Sequence, residues 1–180
     1  IRLSLVGSEM CIRDRSYGTL EEKEAGYKGT AAKLITQYTK GAGFGMAPAI
    51  TPGSLFTGRF EFQAVTDPKE QLKLTKFGIS YTKKPLYFKG AFKYKAGDNF
   101  VDGSDKNDVK ENTGDKDQCG IYALLYEATN EKEEEVILDG NTITNSEYRV
   151  AIAQIKDGSD TEDKWVEFNE AFTYFEGKVY

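Results

Sequence analysis

Flat aromatic rings set among charged and amide side chains are the residues in this sequence best suited to chemistry. Trp165, Tyr87, Tyr94, Tyr122 and Tyr126 are the candidate platforms, and Arg59, Glu127 and Gln154 the candidate polar partners. Rings of this kind pack on the apolar C–H faces of a pyranose, while carboxylate, guanidinium and amide groups hydrogen-bond its hydroxyls. Each ring also has a plainer reading as a core residue of a strand, Trp165 included, because it opens a W-x-x-F pattern. A second set is the carboxylates Glu61, Glu127, Glu167 and Glu170. Cleavage of a glycosidic bond needs two such groups, about 5–5.5 Å apart for retention or about 6.5–9.5 Å for inversion. Sequence spacing does not fix that distance, and solvent-facing strand charge explains each carboxylate as well.

Other chemistries are excluded or unsupported. The chain has no histidine, so a Ser-His-Asp or Cys-His constellation cannot form within it, and the commonest zinc ligand is missing too. No catalytic residue, metal site or cofactor is assigned. The acidic stretch Gly97–Gln118 carries Asp98, Asp102, Asp105 and Asp108, oxygen ligands of the type Ca²⁺ takes. It lacks the D-x-[DN]-x-[DN]-G order and closing glutamate of an EF-hand, and reads as a solvated surface loop. Three close glycines in Gly41–Gly53, GAGFGMAPAITPG, are followed by no Lys-Ser/Thr pair, so this is an extended loop and not a phosphate cradle.

Composition narrows the partners. Twenty-four basic against 29 acidic side chains give a net charge of −5, and no Lys/Arg block is long enough for a nucleic-acid stripe. No apolar run approaches the roughly 18 residues that span a bilayer. With Cys11 in a suspect segment, Cys119 is the one cysteine left, and no intrachain disulfide framework is expected.

The elements that must position these residues are strands. Eleven Tyr, 11 Phe and 18 Gly, with short aromatic or β-branched runs between Gly/Asp/Asn/Pro clusters, predict an all-β chain. Seven strands are expected: Ala32–Tyr38, Ser54–Ala64, Leu86–Lys95, Cys119–Ala128, Glu135–Leu138, Tyr148–Lys156 and Trp165–Phe175. Alternation puts Phe56, Phe60 and Phe62 on one face with Gly58, and Phe88, Phe92 and Tyr94 on one face with Gly90. Ile121–Tyr126 and Val150–Ile155 are apolar on both faces, as in the middle of a sandwich. Only Leu20–Ala25 has helical character, from its Glu and Lys content. Residues 1–15, IRLSLVGSEMCIRDR, resemble a translated sequencing-adapter remnant and are expected to add no core strand, which leaves 16–180 as a single domain. The architecture expected is a two-sheet antiparallel β-sandwich of jelly-roll type.

Several motifs carry a family resemblance. PGSLFTGRF at Pro52–Phe60, KFGISYTKKPLYFKGAFKYKAGDNF at Lys76–Phe100, CGIYALLYEA at Cys119–Ala128, LDGNTIT at Leu138–Thr144 and WVEFNEAFTY at Trp165–Tyr174 stand in the right order. Together they resemble the putative carbohydrate metabolism domain (PCMD) family over nearly all of 16–180. The resemblance implies a β-jelly-roll similar to carbohydrate-binding modules. It also implies a Gram-negative cell-surface or periplasmic location, often with a lipid-anchored parent and an immunoglobulin-like module ahead of the domain. No such module is present, and the family's closing Gly-Ser-x-Leu-x-Val-Asp-like segment is missing, so an incomplete domain is expected. The function implied is noncatalytic glycan binding. A glycoside hydrolase with paired carboxylates and a structural part of a surface glycan-uptake system are the alternatives.

Overall fold

A computed structural model describes residues 1–9, 20–38, 50–61, 63, 67–98, 100–102, 110–111 and 114–180. In chain order its strands are β1 (Arg2–Glu9), β2 (Leu20–Ala25), β3 (Thr30–Ile35), β4 (Gln37–Tyr38), β5 (Ile50–Thr51), β6 (Gly53–Phe56) and β7 (Gly58–Phe60). The helix α1 (Pro68–Leu72) precedes β8 (Thr75–Phe77), β9 (Ile79–Ser80), β10 (Tyr87–Phe92), β11 (Val101–Asp102) and β12 (Lys110–Glu111). Last come β13 (Gly120–Tyr126), β14 (Arg149–Gln154), β15 (Val166–Ala171) and β16 (Thr173–Tyr174). All described strand pairs are antiparallel. The chain is all-β, as its composition predicts.

The main sheet runs β16-β14-β13-β1-β6, with β9 also paired to β1. Its centre is apolar on both sides, which is why β13 shows no polar alternation. On one side Leu124 and Tyr126 pack with Val136, Leu138 and Ile143; on the other Leu125 packs with Val150 and Ala151. Opposite one end of the sheet lies a two-stranded ribbon, β10 with β15. Phe92 and Phe168 of this ribbon share a cluster with Ile121 and Ile155 of the main sheet and with buried Tyr94 and Cys119. Two layers therefore close over one apolar interior, the arrangement of a β-sandwich.

Four expectations need correction. Arg2–Glu9 is a strand inside the main sheet, with Leu3 opposite Leu125 and Val6 opposite both Tyr122 and Phe56. Backbone pairing and the apolar Ile1 and Leu3, which pack against the Leu125 cluster, hold it there. Thr57 adds a local stitch: its hydroxyl donates to Leu3 O (3.1 Å) and accepts from Leu5 N (3.0 Å). The fit is imperfect, because the Ser4 hydroxyl is fully buried and finds no hydrogen-bond partner among the described residues.

Leu20–Ala25 is likewise a strand and not helical. It pairs along its whole length with β3, where the Gly26–Gly29 turn folds it back and closes with a Gly26 N to Gly29 O bond of 2.8 Å. Six residues are too few to hold a helix against a hydrogen-bonded partner. The strand expected over Ser54–Ala64 breaks at Thr57, because Gly58 sits at φ 146° with Lys76 O only 2.0 Å from where a Cβ would be. Phe56 packs edge-on against Phe77 at 5.3 Å, while Phe60 is 57% exposed, so the two do not share a core face. Phe62 lies outside the described residues. Finally, Glu135–Leu138 makes isolated bridges, Thr129 with Glu135 and Phe77 with Leu138, in place of a strand.

Most of Gly41–Gly53 and the stretch 103–109 of the acidic loop lie outside the described residues. Among the described residues no three His, Cys, Asp or Glu side chains gather as metal ligands.

Candidate functional site

The β10–β15 ribbon has two unlike faces, and strand alternation assigns them. Register pairs Phe88 with Glu170, Gly90 with Phe168 and Phe92 with Val166 on the inward face. There the Phe168 ring lies across Gly90, where any Cβ would meet it at 2.6 Å, and touches Phe88 (5.0 Å between centroids) and Phe92 (6.2 Å). A glycine between two phenylalanines is thus what lets the inner face pack flat.

The outward face pairs Tyr87 with Ala171, Lys89 with Asn169 and Ala91 with Glu167. Trp165, two residues before Glu167, continues this face past the end of β15. The β2–β3 turn brings Tyr27 to it, with ring centroids 6.2 Å from Trp165 and planes inclined at 52°. Tyr27 stays 45% exposed. Its phenol is hydrogen-bonded to the Glu167 carboxylate, whose negative charge raises the phenol pKa above its ordinary value. Lys93 lies 5.5 Å from the centre of the Trp165 ring and bonds Asp163 at 2.6 Å, which holds that carboxyl below its usual range. Among the hairpin, the ribbon and the main sheet opens a groove of about 1040 Å³, lined by Tyr27, Lys28, Lys89, Trp165, Glu167 and Asn169 and also by Phe56, Phe88 and Phe92.

Trp165 is the one platform candidate that lines this groove, and Tyr87 stands 55% exposed at the far end of the same ribbon face. The other tyrosines are structural. Tyr94 is 1% exposed and donates to Asp117 at 2.7 Å; Tyr126 is 0% exposed and donates to the Phe77 carbonyl. Neither can offer a face to a ligand. Tyr122 is half-buried against the Leu124 cluster, and burial raises its phenol pKa. The polar candidates do not converge. Arg59 is exposed and paired with Glu61 at 2.7 Å, Glu127 is held by Lys178 at 2.7 Å, and Gln154 is exposed at the end of β14.

A family model matches residues 4–180, and its description is putative carbohydrate metabolism domain. The chain belongs to this PCMD family. Membership places it among carbohydrate-associated domains. A solved structure, described as a putative glycoside hydrolase from Bacteroides thetaiotaomicron VPI-5482, is similar at 36% identity with a TM-score of 0.75. The alignment covers 91% of this chain and 45% of that one, so the PCMD chain spans less than half of its neighbour's length. Comparison with curated proteins finds no match.

Within this PCMD domain the four carboxylates singled out by sequence occupy separate places. Glu167 and Glu170 share β15 but, three residues apart, project from opposite faces. Glu170 faces inward and lies 3.7 Å from Lys156; Glu61 pairs with Arg59 two residues before it, and Glu127 with Lys178 near the C-terminal end. The residues that sequence reasoning missed are Tyr27, Glu167 as a groove residue, Asn169 and Lys89. The signal for Tyr27 was its Gly-Tyr-Lys-Gly setting, a turn that pushes a ring outward; no sequence signal links it to Trp165, 138 positions away by residue number.

Proposed function

We propose that this domain binds glycan without cleaving it, as a jelly-roll-like module of a larger extracytoplasmic bacterial protein, with a lipid-anchored parent at the cell surface or in the periplasm. The observation that carries the reading is the pairing of exposed Tyr27 with half-buried Trp165, beside Glu167 and Asn169 in an open groove. Two inclined rings supply apolar faces for sugar C–H groups, and the carboxylate, amide and nearby lysines supply hydrogen bonds to hydroxyls. The separate placing of the carboxylates supports binding over hydrolysis, since Glu167 has no second acid among the described carboxylates opposite it across the groove.

A hydrolytic role for a longer parent is the second reading, favoured by the description of the 36%-identical neighbour. A passive part in a glycan-uptake assembly is a third, and it requires no exposed aromatic groove. One experiment separates them. Binding of the parent protein is measured on a panel of cellulose, xylan, mannan, chitin, pectin and starch, with and without chelator. Trp165→Ala should weaken binding by about tenfold or more while the melting curve stays in place, as for an aromatic anchor at a binding surface. Release of reducing ends, abolished by Glu167→Gln, overturns the noncatalytic reading. Absence of binding across the panel overturns glycan recognition altogether.

A further inference from the structure

The outward face of the ribbon carries a second aromatic that the groove does not include. Tyr87 lies on the same face as Trp165, because Tyr87, Lys89 and Ala91 alternate with the inward Phe88, Gly90 and Phe92 and pair with Ala171, Asn169 and Glu167, while just beyond the paired stretch Lys93 lies over the Trp165 ring. An exposed tyrosine alone needs no explanation. Its alignment with Trp165 along one antiparallel ribbon does. At about 3.3 Å of rise per residue, the six steps from Tyr87 to Lys93, the position beside Trp165, separate the two rings by roughly 20 Å. A single pyranose cannot touch both.

The floor between the rings suits a chain laid lengthwise. Ala91 and Ala171 are small and leave it low, while Lys89, Asn169 and Glu167 project polar groups along its middle. Lys89 lies over the Tyr87 ring, 5.3 Å from its centre, and Lys93 over the Trp165 ring at 5.5 Å, so an ammonium group stands within reach of the hydroxyls of a sugar packed at either ring. We infer that the ligand is an extended oligosaccharide bound along the β10–β15 ribbon, spanning from Trp165 to Tyr87, and not a single terminal sugar held in the groove. The inference rests on the glycan-binding reading above.

The test takes the polysaccharide that binds best in the panel, cuts it to a ladder from mono- to hexasaccharide, and measures affinity by calorimetry. Affinity should climb by about tenfold or more up the ladder, because contacts to the second ring are gained only by long ligands. Tyr87→Ala, at an exposed position whose folding is checked by its melting curve, should erase that gain and leave the shortest binding fragment unchanged. Trp165→Ala should weaken every length. Affinity flat with length, or a hexasaccharide indifferent to Tyr87→Ala, overturns the inference while leaving glycan binding intact. If no polysaccharide in the panel binds, the functional reading fails first and the inference falls with it.

Discussion

The β13–β14 centre of the main sheet and the β10–β15 ribbon are built from the same kinds of residue, yet they use their aromatics in opposite ways. In β13 both faces are covered, so Tyr126 is sealed and its hydroxyl is spent on the Phe77 carbonyl. In the ribbon one face is covered and the other is left to solvent, so Phe168 is packed while Tyr87 is exposed and Trp165 is only half-buried. The lesson is that an aromatic residue's role here follows from the number of layers around its strand. Residue type alone does not separate platform from core.

That contrast breaks most sharply at Tyr126. Tyr126→Ala removes a fully buried ring and strands the Phe77 carbonyl, and should destabilise the fold by about 3–5 kcal/mol in denaturant titration. A loss comparable to that of Trp165→Ala would erase the distinction between the two regions. A gentler probe lies in the same sheet, at the buried Ser4 hydroxyl, which has no hydrogen-bond partner among the described residues. Ser4→Ala takes away an unsatisfied polar group and should raise stability by about 1 kcal/mol, read as a higher denaturant midpoint. A fall in the midpoint would mean that the hydroxyl is satisfied in solution. The smallest effect belongs to the ribbon. Because the Glu167 charge and hydrogen bond hold the Tyr27 phenol pKa up, Glu167→Gln should move phenol ionisation to lower pH, towards the ordinary tyrosine value, in an ultraviolet titration against Tyr27→Phe. An unchanged titration would detach Tyr27 from Glu167 and weaken the case for one joint site.

Much of the fold was legible because its signals are local. The two-faced apolar runs Ile121–Tyr126 and Val150–Ile155 became β13 and β14, and the alternation through Phe88, Gly90 and Phe92 became the inward face of β10. Other parts were not, since pairing decided them. The LEEKEA run at Leu20–Ala25 is rich in helix formers, but a glycine turn and the partner strand Thr30–Ile35 override that preference. Arg2–Glu9 offered only a short apolar stretch, and its strand state depends on β13, β6 and β9. The site divides the same way. Trp165 and Tyr87 could be chosen by type, whereas Tyr94 and Tyr126 could not be dismissed, since their burial comes from segments far away in the chain. Tyr27 and Glu167 meet across 140 positions, and nothing in either neighbourhood announces it.

The position of β1 also sets a timetable for folding. Its neighbour on one side, β13, begins at Gly120, and the Arg2–Glu135 ion pair links positions 133 apart. The middle of the main sheet therefore cannot zip until β1 and β13 have met across all the chain between them, a closure whose entropic cost precedes any reward from the contacts. Until then the apolar faces of Leu124 and Leu125 and the open edge of β13 are exposed to other chains. Slow refolding and concentration-dependent aggregation are the expected companions of this topology, and low protein concentration during refolding is the natural remedy.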